Sequence, residues 1–192
     1  MRPSRWMWVG VVVVSLGSVG MAQEKPGSPD GAPPMPKPGP EHQVLTQDVG
    51  VWDATVALVM EPGGKPEISK GTETNRLMGG LWLIQDFQGE LLGLPFHGHS
   101  MTGYDPAKKK YVGTWVDTVS PGLSMVEGTL DPKTKIMTAW IEGPGPDGVV
   151  MKSRATTEWK DANTRVFTMH SPEGKGPSFA MMTITYQRRA AR

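Results

Sequence analysis

From Trp52 to the C-terminus the chain never sustains a helical period. Short runs rich in β-branched and aromatic residues alternate with clusters of turn-formers. That pattern confines the chain to an antiparallel sheet that doubles back at every break. The clearest unit is Gly103–Asp117. Asp105-Pro106 opens a tight turn, because proline presets φ and the aspartate can bond nearby amides. Lys108, Lys109 and Lys110 keep that turn in water, and Tyr111 resumes a β-rich run.

The same grammar predicts ten strands: Trp52–Met60, Ile68–Met78, Leu81–Gln88, Phe96–Tyr104, Tyr111–Thr118, Leu123–Leu130, Ile136–Glu142, Val149–Trp159, Arg165–Ser171 and Phe179–Arg188. The breaks between them carry recognisable turn chemistry, as in Pro62-Gly63-Gly64-Lys65-Pro66, Asp131-Pro132-Lys133-Thr134 and Asp161-Ala162-Asn163. Short connections favour up-and-down neighbours over crossovers. About ten strands in one sheet tend to close, because an open edge is a liability. The expectation is an all-β, antiparallel up-and-down barrel of about ten strands that can enclose a ligand. One short helix precedes it, over Glu41–Val49, where Val44, Leu45 and Val49 fall near helical spacing and Gly50 ends the run.

The N-terminus reads as a processing segment. Arg2 and Arg5 form a charged start, and Trp6–Val14 is an apolar run too short to span a bilayer comfortably. Gly20-Met21-Ala22 supplies small residues ahead of a cut, so residues 1–22 are expected to be a signal peptide. Residues 23–41 are a proline-rich flexible linker that cannot bury apolar area. Residues 42–188 form the barrel domain, and residues 189–192 a basic tail. The expected compartment is extracellular or periplasmic.

Removing Arg2 and Arg5 from the 20 basic residues leaves 18 against 19 acidic ones, a net charge of −1. Such a chain has no strong field for nucleic acid or anionic lipid. It also has no later stretch of membrane-spanning length, so no membrane insertion is expected after cleavage. The absence of cysteine excludes thiolate metal sites and thiol nucleophiles. Nothing in the sequence fixes an oligomeric state.

Candidate chemistry follows from strand parity, because alternate residues share a face. Trp82 shares one with Asp86. Trp115 shares one with Tyr111 and Asp117, and Trp140 shares one with Glu142. If those faces point inward, Trp82, Asp86, Tyr111, Trp115, Asp117, Trp140 and Glu142 line a cavity with aromatic walls and a few carboxylates, the make-up of a small-molecule site. If they point outward, the acids are solvated and the tryptophans lie on the outside.

His97-Gly98-His99 projects two imidazoles to one side, a pair that could ligate a metal if His170, Asp86 or Asp117 supplied a third ligand. The reading preferred here is a histidine pair beside a loop, with no metal and no cofactor. His170 alone is a poor basis for haem ligation. No Gly-x-Ser-x-Gly elbow or phosphate loop is present.

Three ordered segments, Gly79–Gly89, Gly93–Gly98 and Gly103–Asp117, together with the close Met182–Arg188, resemble a bacterial family known as domain of unknown function 1579. The resemblance spans roughly Leu45 to Arg188. It implies a lipocalin-like, calycin-type β-barrel, often exported, with no established activity. It also places Trp82, Asp86, Tyr104, Asp105, Trp115 and Asp117 in the family's shared pattern, without giving them roles. His97 and His99 fall outside that pattern.

The sequence therefore favours binding of a small, partly apolar ligand. A hydrolase or metal-dependent enzyme using carboxylates or His97 and His99 is one alternative. A structural or interaction module with a filled barrel is another.

Overall fold

The computed structural model describes residues 35–145 and 148–190 of the chain. The predicted signal peptide and most of the linker lie outside the described residues. One helix, α1 (Pro40–Thr46), leads into ten strands. They are β1 (Gly50–Leu58), β2 (Glu67–Met78), β3 (Trp82–Leu91), β4 (Leu94–Asp105), β5 (Lys110–Asp117), β6 (Ser124–Leu130), β7 (Ile136–Pro144), β8 (Val150–Trp159), β9 (Thr164–His170) and β10 (Ala180–Arg188). Each strand pairs antiparallel with its chain neighbours, and β1 pairs with β10, so the sheet is a closed up-and-down barrel.

Every predicted run becomes a strand, and the ends shift by only a few residues. The largest extension is in β3, predicted to stop at Gln88. It continues to Leu91 because Leu92 and Gly93 both adopt positive φ, 53° and 76°. Two central residues at positive φ match the twist of a two-residue hairpin, so β3 and β4 stay paired down to Leu91↔Leu94. The helix begins at Pro40, where a missing N–H costs nothing, and it ends sooner than predicted, at Thr46.

Because strands alternate in direction, the connections sort to two ends. One end carries α1 and the β2–β3, β4–β5, β6–β7 and β8–β9 turns. There Leu45 of α1 packs on Leu83 and Tyr111, with Val44, Val49, Leu77, Tyr104, Leu130 and Met137 around them. Burying a leucine such as Leu45 stabilises by roughly 1.5–3 kcal/mol. The Tyr111 hydroxyl donates to the Glu41 carbonyl at 3.0 Å, and burial pushes its pKa up to about 12.

Beneath the helix lies a buried ionic cluster. Arg165 pairs with Asp48 at 2.9 Å and with Glu73, and all three side chains are under a tenth exposed. Asp48 also accepts from the indole N–H of Trp159 at 2.8 Å, and its carbonyl accepts from Trp52 at 2.8 Å. Asn75 and Gln85 donate to the Glu73 carboxylate at 2.6 and 3.2 Å. The guanidinium lies over the Tyr186 ring at 4.0 Å. Burial raises the pKa of Asp48, with Arg165 opposing it. For Arg165, burial works against the charge, but Asp48 and Glu73 outweigh it and the pKa is raised. Burial, then Glu73, pushes the Tyr186 hydroxyl well up.

The residues predicted as a basic tail begin in ordered contacts. The Arg189 amide donates to the Val51 carbonyl at 2.8 Å, and its guanidinium pairs with Asp53.

Removing one partner of a buried pair leaves an uncompensated charge and typically costs about 3–5 kcal/mol. Arg165→Met, which strands Asp48 and Glu73 together, is expected to lower unfolding free energy by about that amount in urea titration. A loss below about 1 kcal/mol would show that the cluster contributes little.

Candidate functional site

Register decides which side of each strand faces in. Trp52, Ala54 and Val56 of β1 are buried, and their partners propagate that face around the ring: Glu73 and Gly71 on β2, Phe87 on β3, Gly98 on β4 and Asp117 on β5. Tyr111, Trp115 and Asp117 therefore face the lumen. Carried on through Ser124, Val126, Ile141, Ser153, Phe167 and Met182, the same parity closes back on Val56 through Ile184.

That register corrects part of the sequence expectation. Trp82, Asp86, Trp140 and Glu142 face outward and line no lumen. Trp82 lies across Gly103 on the outer face, where a Cβ on Gly103 would sit 2.5 Å from the indole. Trp140 packs under the Lys152 ammonium, 4.9 Å from the ring centroid. Within each run the pairing of tryptophan with acid is real, but parity alone does not say which face is inside. On β3 both faces carry large apolar groups, Leu83 and Phe87 inward and Trp82 and Ile84 outward.

The aromatic group inside the barrel is built around Trp115. Its ring stacks on Phe96, with centroids 6.4 Å apart and planes 20° apart, and Phe96 meets Phe87 edge-on at 5.9 Å. Gly98 is the reason the indole can lie flat on the wall. A Cβ there would be 2.2 Å from Trp115 Cη2, so only glycine accommodates the ring. The indole N–H donates to Asp117 Oδ2 at 2.8 Å, while Oδ1 accepts the amides of Val119 and Ser120 at 3.0 and 2.8 Å. Both oxygens of Asp117 are thus engaged in holding the indole and the β5–β6 connection.

Phe96, Trp115, Phe167 and Met182 pack on a core of Trp52, Ala54, Val56, Phe87, Ile184 and Tyr186. That core fills the centre of the barrel. Toward the end away from α1 the inner wall is looser. Ser124, Val126, Ile141, Met151, Phe167 and Met169 all keep part of their surface in solvent. The inner wall is therefore a cup closed over by α1 at one end and partly solvent-accessible at the other.

A second concavity, a shallow groove of about 330 Å³, runs along the outer face of β3, β4 and β5. Among its lining residues are Asp86, Gln88, His97, His99, Val116 and Thr118. His97 and His99 do share one outward face, as the spacing predicts. His99 Nδ1 lies 2.7 Å from Asp86 Oδ1, with both side chains about half exposed. No three His, Cys, Asp or Glu side chains converge as a metal-holding group among the described residues.

His170, considered as a haem ligand, faces outward on β9. Its Nε2 lies 3.0 Å from the Arg154 guanidinium. Partial burial, then Arg154, lowers its pKa. The lumen is on the other side of the strand.

The residues that sequence reasoning passed over are Asp48, Glu73 and Arg165, and the aromatics Phe96 and Phe167. One signal was present. Arg165 shares strand parity with Phe167 and Met169, and a charge on an apolar face points to a buried partner.

A family model described as protein of unknown function (DUF1579) matches residues 37–188. No curated protein matches the sequence. Among solved structures, that of Rv2717c from M. tuberculosis is similar, with a TM-score of 0.58 at 12% identity. It covers 80% of this chain and 100% of that one. The S-type phycobiliprotein lyase CPES from Guillardia theta is similar with a TM-score of 0.53 at 8% identity, covering 79% of this chain and 94% of that one. At these identities the likeness concerns the fold.

Gly98→Ala forces the indole off the wall. Overpacking of this kind costs about 1–3 kcal/mol. The variant is expected to show that loss in denaturant titration together with altered near-ultraviolet circular dichroism from the displaced tryptophan. Unchanged stability and an unchanged spectrum would refute the flat packing.

Proposed function

The chain belongs to the family described as protein of unknown function (DUF1579), and we propose that it binds a small, partly apolar ligand in the open half of its barrel. The observation that carries this reading is the stacked Trp115–Phe96 pair. It is an inward, partly solvent-facing aromatic surface on the wall of the open half, fixed by Asp117 and given room by Gly98. Pre-organised aromatic area of this kind binds apolar groups without a large ordering cost. Ser124 faces the same lumen, keeps part of its surface in solvent, and offers a hydroxyl to orient a ligand.

The geometry favours binding over catalysis. Asp117 is inside with both oxygens committed, Asp86 and Glu142 are outside, and Glu67, the other inward carboxylate of the open half among the described residues, is exposed at the start of β2. Paired carboxylates for acid–base work need one shared cavity. The packed centre around Trp52, Phe87 and Tyr186 is what a filled, purely structural barrel would also have. The partly exposed inner wall above it supports the ligand-binding reading.

The proposed setting is extracellular or periplasmic. Arg2 and Arg5 before an apolar run, Gly20-Met21-Ala22, the proline-rich stretch and the lack of cysteine support it.

Trp115→Leu is expected to weaken binding of the neutral dye N-phenylnaphthylamine by about tenfold or more, while Trp140→Leu, on the outer face, leaves it within about twofold. Fluorescence titration reads both. Equal losses in the two variants, or none in either, would remove the lumen as the site.

A further inference from the structure

The lumen's charges carry a statement about which ligands it accepts, resting on the ligand-binding reading above. Among the described residues, the basic ones at inward strand positions are Arg165 and Arg188, and both are engaged at the sealed end. Arg165 is enclosed by Asp48 and Glu73. Arg188 lies over the Trp52 ring at 4.1 Å and donates to the carbonyls of Gln47, Val49 and Ala162.

The open half presents the opposite picture. Its inward ionisable groups among the described residues are Glu67, paired across from Leu58, and Asp117. The wall between them is apolar or hydroxyl-bearing, with Val126, Ile141, Met169 and Ser124 facing in. The rim adds exposed apolar side chains, Met60, Leu92, Val119 and Leu123. Lys65 and Lys175 are exposed in the connections at this end and occupy no position on the inner wall.

We propose that the cup selects against anions, and that its ligands are aromatic or aliphatic compounds that are uncharged or cationic. An anionic group carried onto the inner wall would shed its water, meet no cation at an inward position of the open half among the described residues, and face Glu67 and Asp117. An isolated buried charge is among the most costly groups to place in a protein. A neutral ring loses nothing comparable, and a cation finds the faces of Trp115 and Phe96.

Two dyes with one skeleton test this. N-phenylnaphthylamine is neutral, and anilinonaphthalenesulfonate adds a single sulfonate. Titrated into the full chain at physiological ionic strength, the neutral dye is expected to bind at least about tenfold more tightly. Trp115→Leu is expected to weaken it, which locates the site. Ser124→Lys, which places a cation on the wall, is expected to narrow the difference about tenfold or more by improving sulfonate binding.

Sulfonate binding as tight as that of the neutral dye, with both weakened by Trp115→Leu, would overturn the charge selection and leave the binding site standing. Failure of both dyes to bind, or binding indifferent to Trp115→Leu, would overturn the site and the selection together. If Ser124→Lys does not fold, the ratio of the two dyes on the unaltered chain still decides the matter.

Discussion

The pairing of β1 with β10 is the constraint on which the rest of this structure depends. It converts ten short strands into a ring in which no strand has a free edge. Once the ring closes, register alone assigns every side chain to the lumen or to the outside. The seven paired positions from Trp52↔Arg188 to Leu58↔Met182 carry that assignment across the seam. A slip of one residue there would place Trp52, Ala54 and Val56 in solvent, so the buried side of β1 and the closure enforce each other.

The two ends of the ring then solve different problems. At the sealed end, α1 and the Asp48–Arg165–Glu73 cluster close a polar gap that apolar packing alone would leave. Charge is tolerable there because Arg165 pairs with both carboxylates, which accept further bonds from Trp159, Asn75 and Gln85, although Arg165 Nε is buried without a partner. At the open end the polar groups are fewer and hold the aromatic surface in place. Asp117 is the clearest case: a carboxylate whose work is to fix an indole and a connection.

Much of the fold was legible in the sequence because turns and β-rich runs are local signals. Asp105 accepts the amides of Ala107 and Lys108 at 2.8 and 3.1 Å, as its position ahead of Pro106 predicts. Asp131 does the same for Lys133 and Thr134 at 2.7 and 3.2 Å. The site was only partly legible. Parity grouped Trp115 with Tyr111 and Asp117 correctly on an inward face, and the same rule put Trp82 and Trp140 with their acids on faces that turned out to be external. Parity is a property of one strand, whereas inside and outside belong to the closed ring. The ionic cluster was hidden for a related reason: Asp48, Glu73 and Arg165 are far apart in the chain and meet only when the barrel shuts.

The bond from the Trp115 indole to Asp117 joins two things usually independent, a contact surface and the order of a surface loop. The same carboxylate also accepts the Val119 and Ser120 amides. On the proposed binding reading, a guest that tilts the indole away from Oδ2 removes one of the three bonds that fix Asp117, the anchor of the strap. A guest that leaves the indole flat keeps the strap pinned. On that reading, occupancy of the cup and stiffness of its lip are linked quantities, and linkage of this sort acts equally in both directions.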